Sequence, residues 1–124
     1  MTVILEPYYI VGFVDGEGTF NLVRYPGGRV RPQFLVFNTN KEILKSIKLT
    51  LGLNSPILEV VRVKDVIKRR KRMFRLQVRA KADITKVANF FDKNLPIVKK
   101  ADYEVFRKYF EKWKKDSEDW NFRR

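Results

Sequence analysis

The sequence predicts an α+β fold, αββαββα(α), in which a four-stranded antiparallel sheet carries helices on one face. Three observations predict it. Two stretches alternate apolar and polar residues and are broken by turns, as hairpins are. Four other segments repeat apolar residues at helical spacing. The order is helix, hairpin, helix, hairpin, helix, helix, which closes as a two-layer sandwich. No linker-like stretch interrupts it, so residues 1–124 are expected to form a single domain.

The first helix runs from Pro7 to about Asp15. Proline suits a first turn, where its missing N–H would be unpaired anyway. Gly16 and Gly18 are expected to stop it. Thr19–Tyr25 and about Arg29–Asn38 form the first hairpin, turning at Pro26, Gly27 and Gly28. Thr39 and Glu42 read as a capping box for a helix with Ile43, Leu44, Ile47 and Leu51 on its apolar face, closed by Gly52. Ile57–Lys64 and Lys71–Arg79 form the second hairpin. Asp83 can cap the third helix, with Ile84, Val87, Ala88 and Phe91 inward. After Pro96 the last helix spans about Lys99–Lys115, with Tyr103, Phe106, Phe110 and Trp113 on one stripe.

Composition narrows the chemistry. There is no cysteine and no histidine, which excludes disulfides, thiolate zinc sites and histidine bases. Catalysis would have to use carboxylates, lysines, arginines, backbone groups or a bound metal. No window approaches the length of a membrane helix, and no basic region precedes an apolar run at the N-terminus. An intracellular protein is expected, in a prokaryotic cytoplasm or an organelle, with no membrane partner. The 27 Lys and Arg outnumber the 14 Asp and Glu, giving +13. A charged surface rich in ion pairs explains many charges but not an excess of one sign. An excess this large points to phosphate, and so to nucleic acid.

If helices cover one sheet face, the other is open. Alternation places Asn21, Tyr25, Arg29, Arg31 and Gln33 there from the first hairpin, and Arg75, Gln77 and Arg79 from the second. Arginine and glutamine can pair with base edges in duplex DNA, while surplus cations meet phosphates. The basic run Lys68–Arg72 lies at the second hairpin turn. Its Arg69, Arg70 and Arg72 are expected on the DNA backbone, although such a run also serves as a solvated loop or a nuclear-targeting segment.

The informative segment is Tyr9-Ile10-Val11-Gly12-Phe13-Val14-Asp15-Gly16-Glu17-Gly18. Gly12 and Gly16 share one helix face, where two backbones could approach closely. Two such glycines weaken a helix by about 1 kcal/mol each relative to alanine, and close helix pairing would offset that. Glu17 follows the helix C-terminus, where a carboxylate is disfavoured by the dipole and by unpaired carbonyls. The same placement suits a hard cation with oxygen ligands. Paired helices would bring two Glu17 side chains together, their repulsion relieved by metal. Acid-and-glycine runs also form simple turns.

Residues Ile10–Gly18 resemble the LAGLIDADG signature of homing endonucleases in its GFVDGEG form. Phe37-Asn38-Thr39-Asn40-Lys41-Glu42-Ile43-Leu44 and Pro96-Ile97-Val98-Lys99-Lys100 are similar to that family in order and spacing. The resemblance implies Glu17 and the Gly16 carbonyl as metal ligands for magnesium or manganese, and a more structural Asp15. It implies Asn40, or Asn38, as the residue ordering active-site water. Lys100, or Lys99, is implied as the lysine that polarises the site; either also suits a phosphate contact or a solvated helix start. A basic residue that some members carry early in the second helix has no counterpart, with Leu44 near that place.

One motif per chain implies a homodimer paired through Tyr9, Gly12, Phe13 and Gly16. The implied target is double-stranded DNA of near-palindromic sequence, cut by metal-activated water. An RNA maturase and a non-cutting DNA-binding regulator are the alternatives within this resemblance; the intact acidic motif leans toward the nuclease.

Overall fold

The computed structural model describes residues 1–61 and 71–122, with 117–122 described in backbone only. These residues form α1 (Pro7–Glu17), β1 (Gly18–Arg24), β2 (Val30–Asn38), α2 (Lys41–Leu51), β3 (Ile57–Val60), β4 (Met73–Val78), α3 (Lys81–Lys93) and α4 (Lys100–Phe122). The α+β class holds. The sheet is antiparallel throughout, in the order β1-β2-β4-β3, so the hairpins join through β2 and β4. The turn of the second hairpin, with Lys68, Arg69 and Arg70, lies outside the described residues.

Local chemistry corrects several boundaries. Gly16 does not stop α1; helix continues through Glu17 and ends at Gly18, whose N–H bonds the Val14 carbonyl. Gly18 has an extended φ of −92°, so conformational freedom is not its reason. A Cβ there would lie 2.7 Å from Val14 Cγ1, and only glycine lets β1 leave so close to the helix. Gly52 does need left-handed backbone, with φ of 70°, and it closes α2 as expected.

The expected Thr39–Glu42 capping box is absent. Asn40 is the N-cap, its side-chain oxygen accepting the Glu42 N–H at 3.0 Å. The Glu42 carboxylate turns to Thr2 and Lys45. Its pKa is lowered, first by the Thr2 hydroxyl and then by Lys45. Asp83 is no cap either. It is buried in the first turn of α3 and receives the Asn54 N–H and the Ser55 hydroxyl, pinning the loop after α2. α4 runs past Lys115 to Phe122 because no glycine or proline interrupts it.

The core lies between the sheet and the helices. Phe20 of β1 is its hub, with ring centroids 5.1–5.2 Å from Phe34 of β2, Phe91 of α3 and Tyr103 and Phe106 of α4. α1 contributes Ile10 and Val14, and α2 contributes Leu44 and Ile47. Tyr103 also carries a polar duty: its hydroxyl donates to Ala88 O and to the Asp92 carboxylate, which Arg107 holds in turn. Burial first, and then the bond to Asp92, push the Tyr103 phenol well above its ordinary pKa.

Candidate functional site

The site is built at the C-terminal end of α1. With Ile10 and Val14 turned into the core, α1 presents Tyr8, Tyr9, Gly12 and Gly16 outward, with half-buried Phe13 beside them. Tyr9 and Phe13 stack at 6.4 Å between centroids. A Cβ at Gly12 or Gly16 would meet nothing within 4 Å. Packing among the described residues therefore does not require glycine at either position, in contrast to Gly18.

Glu17 is the last residue of this helix and is exposed. Among the described residues none donates a hydrogen bond to it. Asp15, one residue before Gly16, is tied down. Its carboxylate accepts the N–H of Ile97 at 3.0 Å and of Lys99 at 3.2 Å. The Lys99 ammonium donates to the Asp15 carbonyl at 3.1 Å. This bracket joins the end of α1 to the segment entering α4 and satisfies one of the helix's final carbonyls. It draws Lys99 against the motif, while Lys100 opens α4 as an exposed residue.

In the sheet register Val36 faces Gly18. Asn38, two residues on, therefore ends β2 at the same end of the sheet as Glu17. Its side chain accepts the Asn40 N–H at 2.8 Å, while Asn40 is engaged as the helix cap. Leu44 is core. The oxygen donors fit a hard cation in type, a carboxylate from Glu17 and a carbonyl from Gly16. They do not fill a coordination shell alone. Among the described residues no group of three or more acidic side chains is placed to hold a metal ion.

The described helices leave the second sheet face open, and it differs from the expected surface in three ways. It is not uniformly polar: alternation puts Val23, Leu35, Phe37 and Leu58 among the polar side chains, with Arg75 opposite both Phe37 and Leu58. Gln33 is 5% exposed. Its amide donates to Asn21 at 2.8 Å and accepts from Arg79 Nε, forming one polar row across β1, β2 and β4. Gln33, expected to read bases, is thus held between Asn21 and Arg79. Arg31 does not extend freely, since its guanidinium lies 5.0 Å from the Trp113 ring centroid.

Tyr25, Arg29 and Arg79 are exposed, and Arg75 and Gln77 are half-buried. The stem of Arg75 is covered, and its Nε has no hydrogen-bond partner among the described residues. Arg72 is exposed but pairs with Glu59 at 3.3 Å. Arg69 and Arg70 lie outside the described residues. The Asp15 bracket escaped sequence reasoning. Its signal was an acidic residue near the end of a helix, where the dipole offers no reason for one.

Among the described residues no helix is long and apolar enough to cross a membrane. No curated protein matches the chain. Solved structures do. The homing endonuclease I-TnaI matches with a TM-score of 0.73 at 24% identity, over 92% of this chain and 77% of that one, and speaks to the fold alone. The archaeal intron-encoded homing endonuclease I-Vdi141I, complexed with DNA, matches with a TM-score of 0.68 at 29% identity, over 82% of this chain and 64% of that one. The LAGLIDADG homing endonuclease I-SmaMI, bound to cleaved DNA, matches with a TM-score of 0.72 at 28% identity, over 89% of this chain. This chain spans only 37% of the I-SmaMI chain. A family model described as LAGLIDADG endonuclease matches residues 10–110, from α1 through all four strands into α4. The chain belongs to the LAGLIDADG endonuclease family.

Proposed function

We propose that this chain works as a homodimeric homing endonuclease, cutting both strands of a long, near-palindromic DNA site with divalent metal ions. The observation that carries the proposal is the outer face of α1. Gly12 and Gly16 leave a smooth strip that no described residue packs against, and the strip ends at Glu17. A second copy of the same face fits it, because two backbones can meet where no Cβ intervenes. Such an interface is isologous and places the two Glu17 carboxylates beside one another on the two-fold axis.

Glu17 and the Gly16 carbonyl of each copy would hold magnesium or manganese. When bound, the metal supplies an activated water and stabilises the charge that develops on the phosphodiester oxygens. The chain's own residues prepare the place. Asp15 clamps the end of α1 onto the start of α4, and Lys99 sets a positive charge beside the last helical carbonyls. Asn38 and Asn40 lie at the same end of the sheet, where one can order water, and exposed Lys100 remains within the same region of α4. DNA would lie along the open sheet face, with Asn21, Tyr25, Arg29, Arg31, Arg75, Gln77 and Arg79 toward it and Gln33 supporting the row. The I-Vdi141I and I-SmaMI structures, both on DNA, support this reading.

The test is incubation with a randomised duplex library, with and without magnesium or manganese, followed by sequencing of the products. Cut duplexes sharing a near-palindromic site, and only with metal, are expected. Absence of cutting with either metal would overturn the proposal, and selective retention of structured RNA instead would favour the maturase.

A further inference from the structure

We propose a second nucleic-acid contact, made by the helical layer: a phosphate-binding surface around Trp113, at the end of the sheet away from Glu17. It rests on the DNA-binding reading above and extends it to residues outside the open sheet face. Trp113 lies thirteen residues into α4, about 20 Å along the helix from the motif end at 1.5 Å per residue. There the chain forms a depression of about 340 Å³ lined by Tyr25, Arg29, Arg31, Arg79, Lys81 and Trp113. Tyr25, Arg29, Arg31 and Arg79 belong to the open face, so the depression continues that face around the end of the sheet, and the added contacts are Lys81, Lys112 and Trp113. A neighbouring depression of about 550 Å³ shares Arg29, Arg31 and Trp113 and adds Lys112 from α4.

The indole gathers cations. Arg31 lies 5.0 Å from its centroid and Lys81 5.9 Å, where each gains from the ring's negative face. Five cations, Arg29, Arg31, Arg79, Lys81 and Lys112, converge on the two depressions, against one acid, Asp116. Among the described residues none of the five forms an ion pair, whereas Arg72, Arg107 and Lys45 elsewhere do. Converging side chains of one sign repel one another. A polyanion relieves that repulsion, and the indole holds Arg31 and Lys81 ready for it. The spacing suits duplex backbone: about 20 Å corresponds to about six phosphates of one strand at 3.4 Å each. DNA lying on the sheet therefore reaches this end at the outer part of each half-site.

The test uses the full chain and a long mixed-sequence duplex, because backbone contacts do not need the target sequence. Affinity is measured against salt for the wild type, for Lys81→Ala with Lys112→Ala, and for Lys114→Ala on the opposite face of α4 from Lys112. The slope of log affinity against log salt should flatten by about 0.9 for each phosphate contact removed. The double variant is expected to lose about two units, and Lys114→Ala to change little. In a Trp120→Phe background, which leaves Trp113 as the one tryptophan, its emission should shift when duplex is added. A double variant that keeps the wild-type slope, with Trp113 emission unmoved, overturns the surface while leaving DNA binding intact. A wild-type protein that binds no duplex removes the DNA reading, and this surface with it.

Discussion

Gln33 shows what a side chain's neighbours add to its position. Strand alternation places it on the open face, and there it is. Its cover comes from Asn21 and Arg79, which reach it only because β1 and β4 pair with β2 on either side. Such pairing is not written in the local pattern of β2. Gln33→Leu should leave Arg79 and Asn21 unanchored. A bidentate base contact discriminates by about 1–3 kcal/mol, so selectivity at the matching pair of each half-site should relax while overall binding persists. Competition binding against single-base variants of the target checks this. What singles out Glu17 in the sequence is a carboxylate at a helix C-terminus, where the dipole disfavours it. Glu17→Gln should cut cleavage by orders of magnitude with DNA binding retained, measured on one preparation with and without magnesium. A variant that still cuts at the normal rate would remove Glu17 from the chemistry.

At the scale of elements, order and type were readable because apolar period differs between helix and strand. Ends were less so. Thr39 and Asn40 are adjacent cap-forming residues, and only the backbone turn decides for Asn40. Asp83 looks like a cap but serves a loop 28 residues away, which spacing cannot reveal. The glycines separate cleanly once geometry is known. Gly18→Ala forces a methyl onto Val14 and should cost about 1–3 kcal/mol of stability. Gly12→Ala and Gly16→Ala should leave the monomer as stable or up to about 1 kcal/mol better, through helix propensity. Thermal melts in dilute protein distinguish them.

Tyr103 fastens α4 to α3. Tyr103→Phe leaves the Ala88 carbonyl and Asp92 without its hydroxyl and should cost about 1–3 kcal/mol. The phenol's pKa is raised on folding, so its stabilisation is whole below about pH 10, the unfolded value. Above that, the unfolded state ionises first and the contribution falls as pH rises. The stability gap between wild type and Tyr103→Phe should therefore narrow on alkaline titration from its value at neutral pH.

For the whole molecule the issue is copy number. For the homodimer proposed above, light scattering of the wild type should give twice the monomer mass. Gly12→Leu should return it to the monomer, by separating two backbones, without unfolding it, since the space beside Gly12 is empty within the chain. A monomeric wild type at micromolar concentration, with DNA present, would remove the paired-helix interface.

The Asp15 bracket has a consequence for the order in which the protein is made. Asp15 leaves the ribosome well before its partners, Ile97 and Lys99. At about 5–20 residues per second, the 84 positions separating Asp15 from Lys99 take roughly 4–17 seconds to synthesise. The first hairpin can pair during that interval, while the end of α1 still lacks its anchor. β4, which must enter between β2 and β3 in the sheet, also arrives late. A chain interrupted before residue 97 thus carries its basic strands β1, β2 and β4, while the end of α1 that bears Glu17 is still unheld. Under the cleavage proposed above, competence to cut is withheld until the segment entering α4 has been translated.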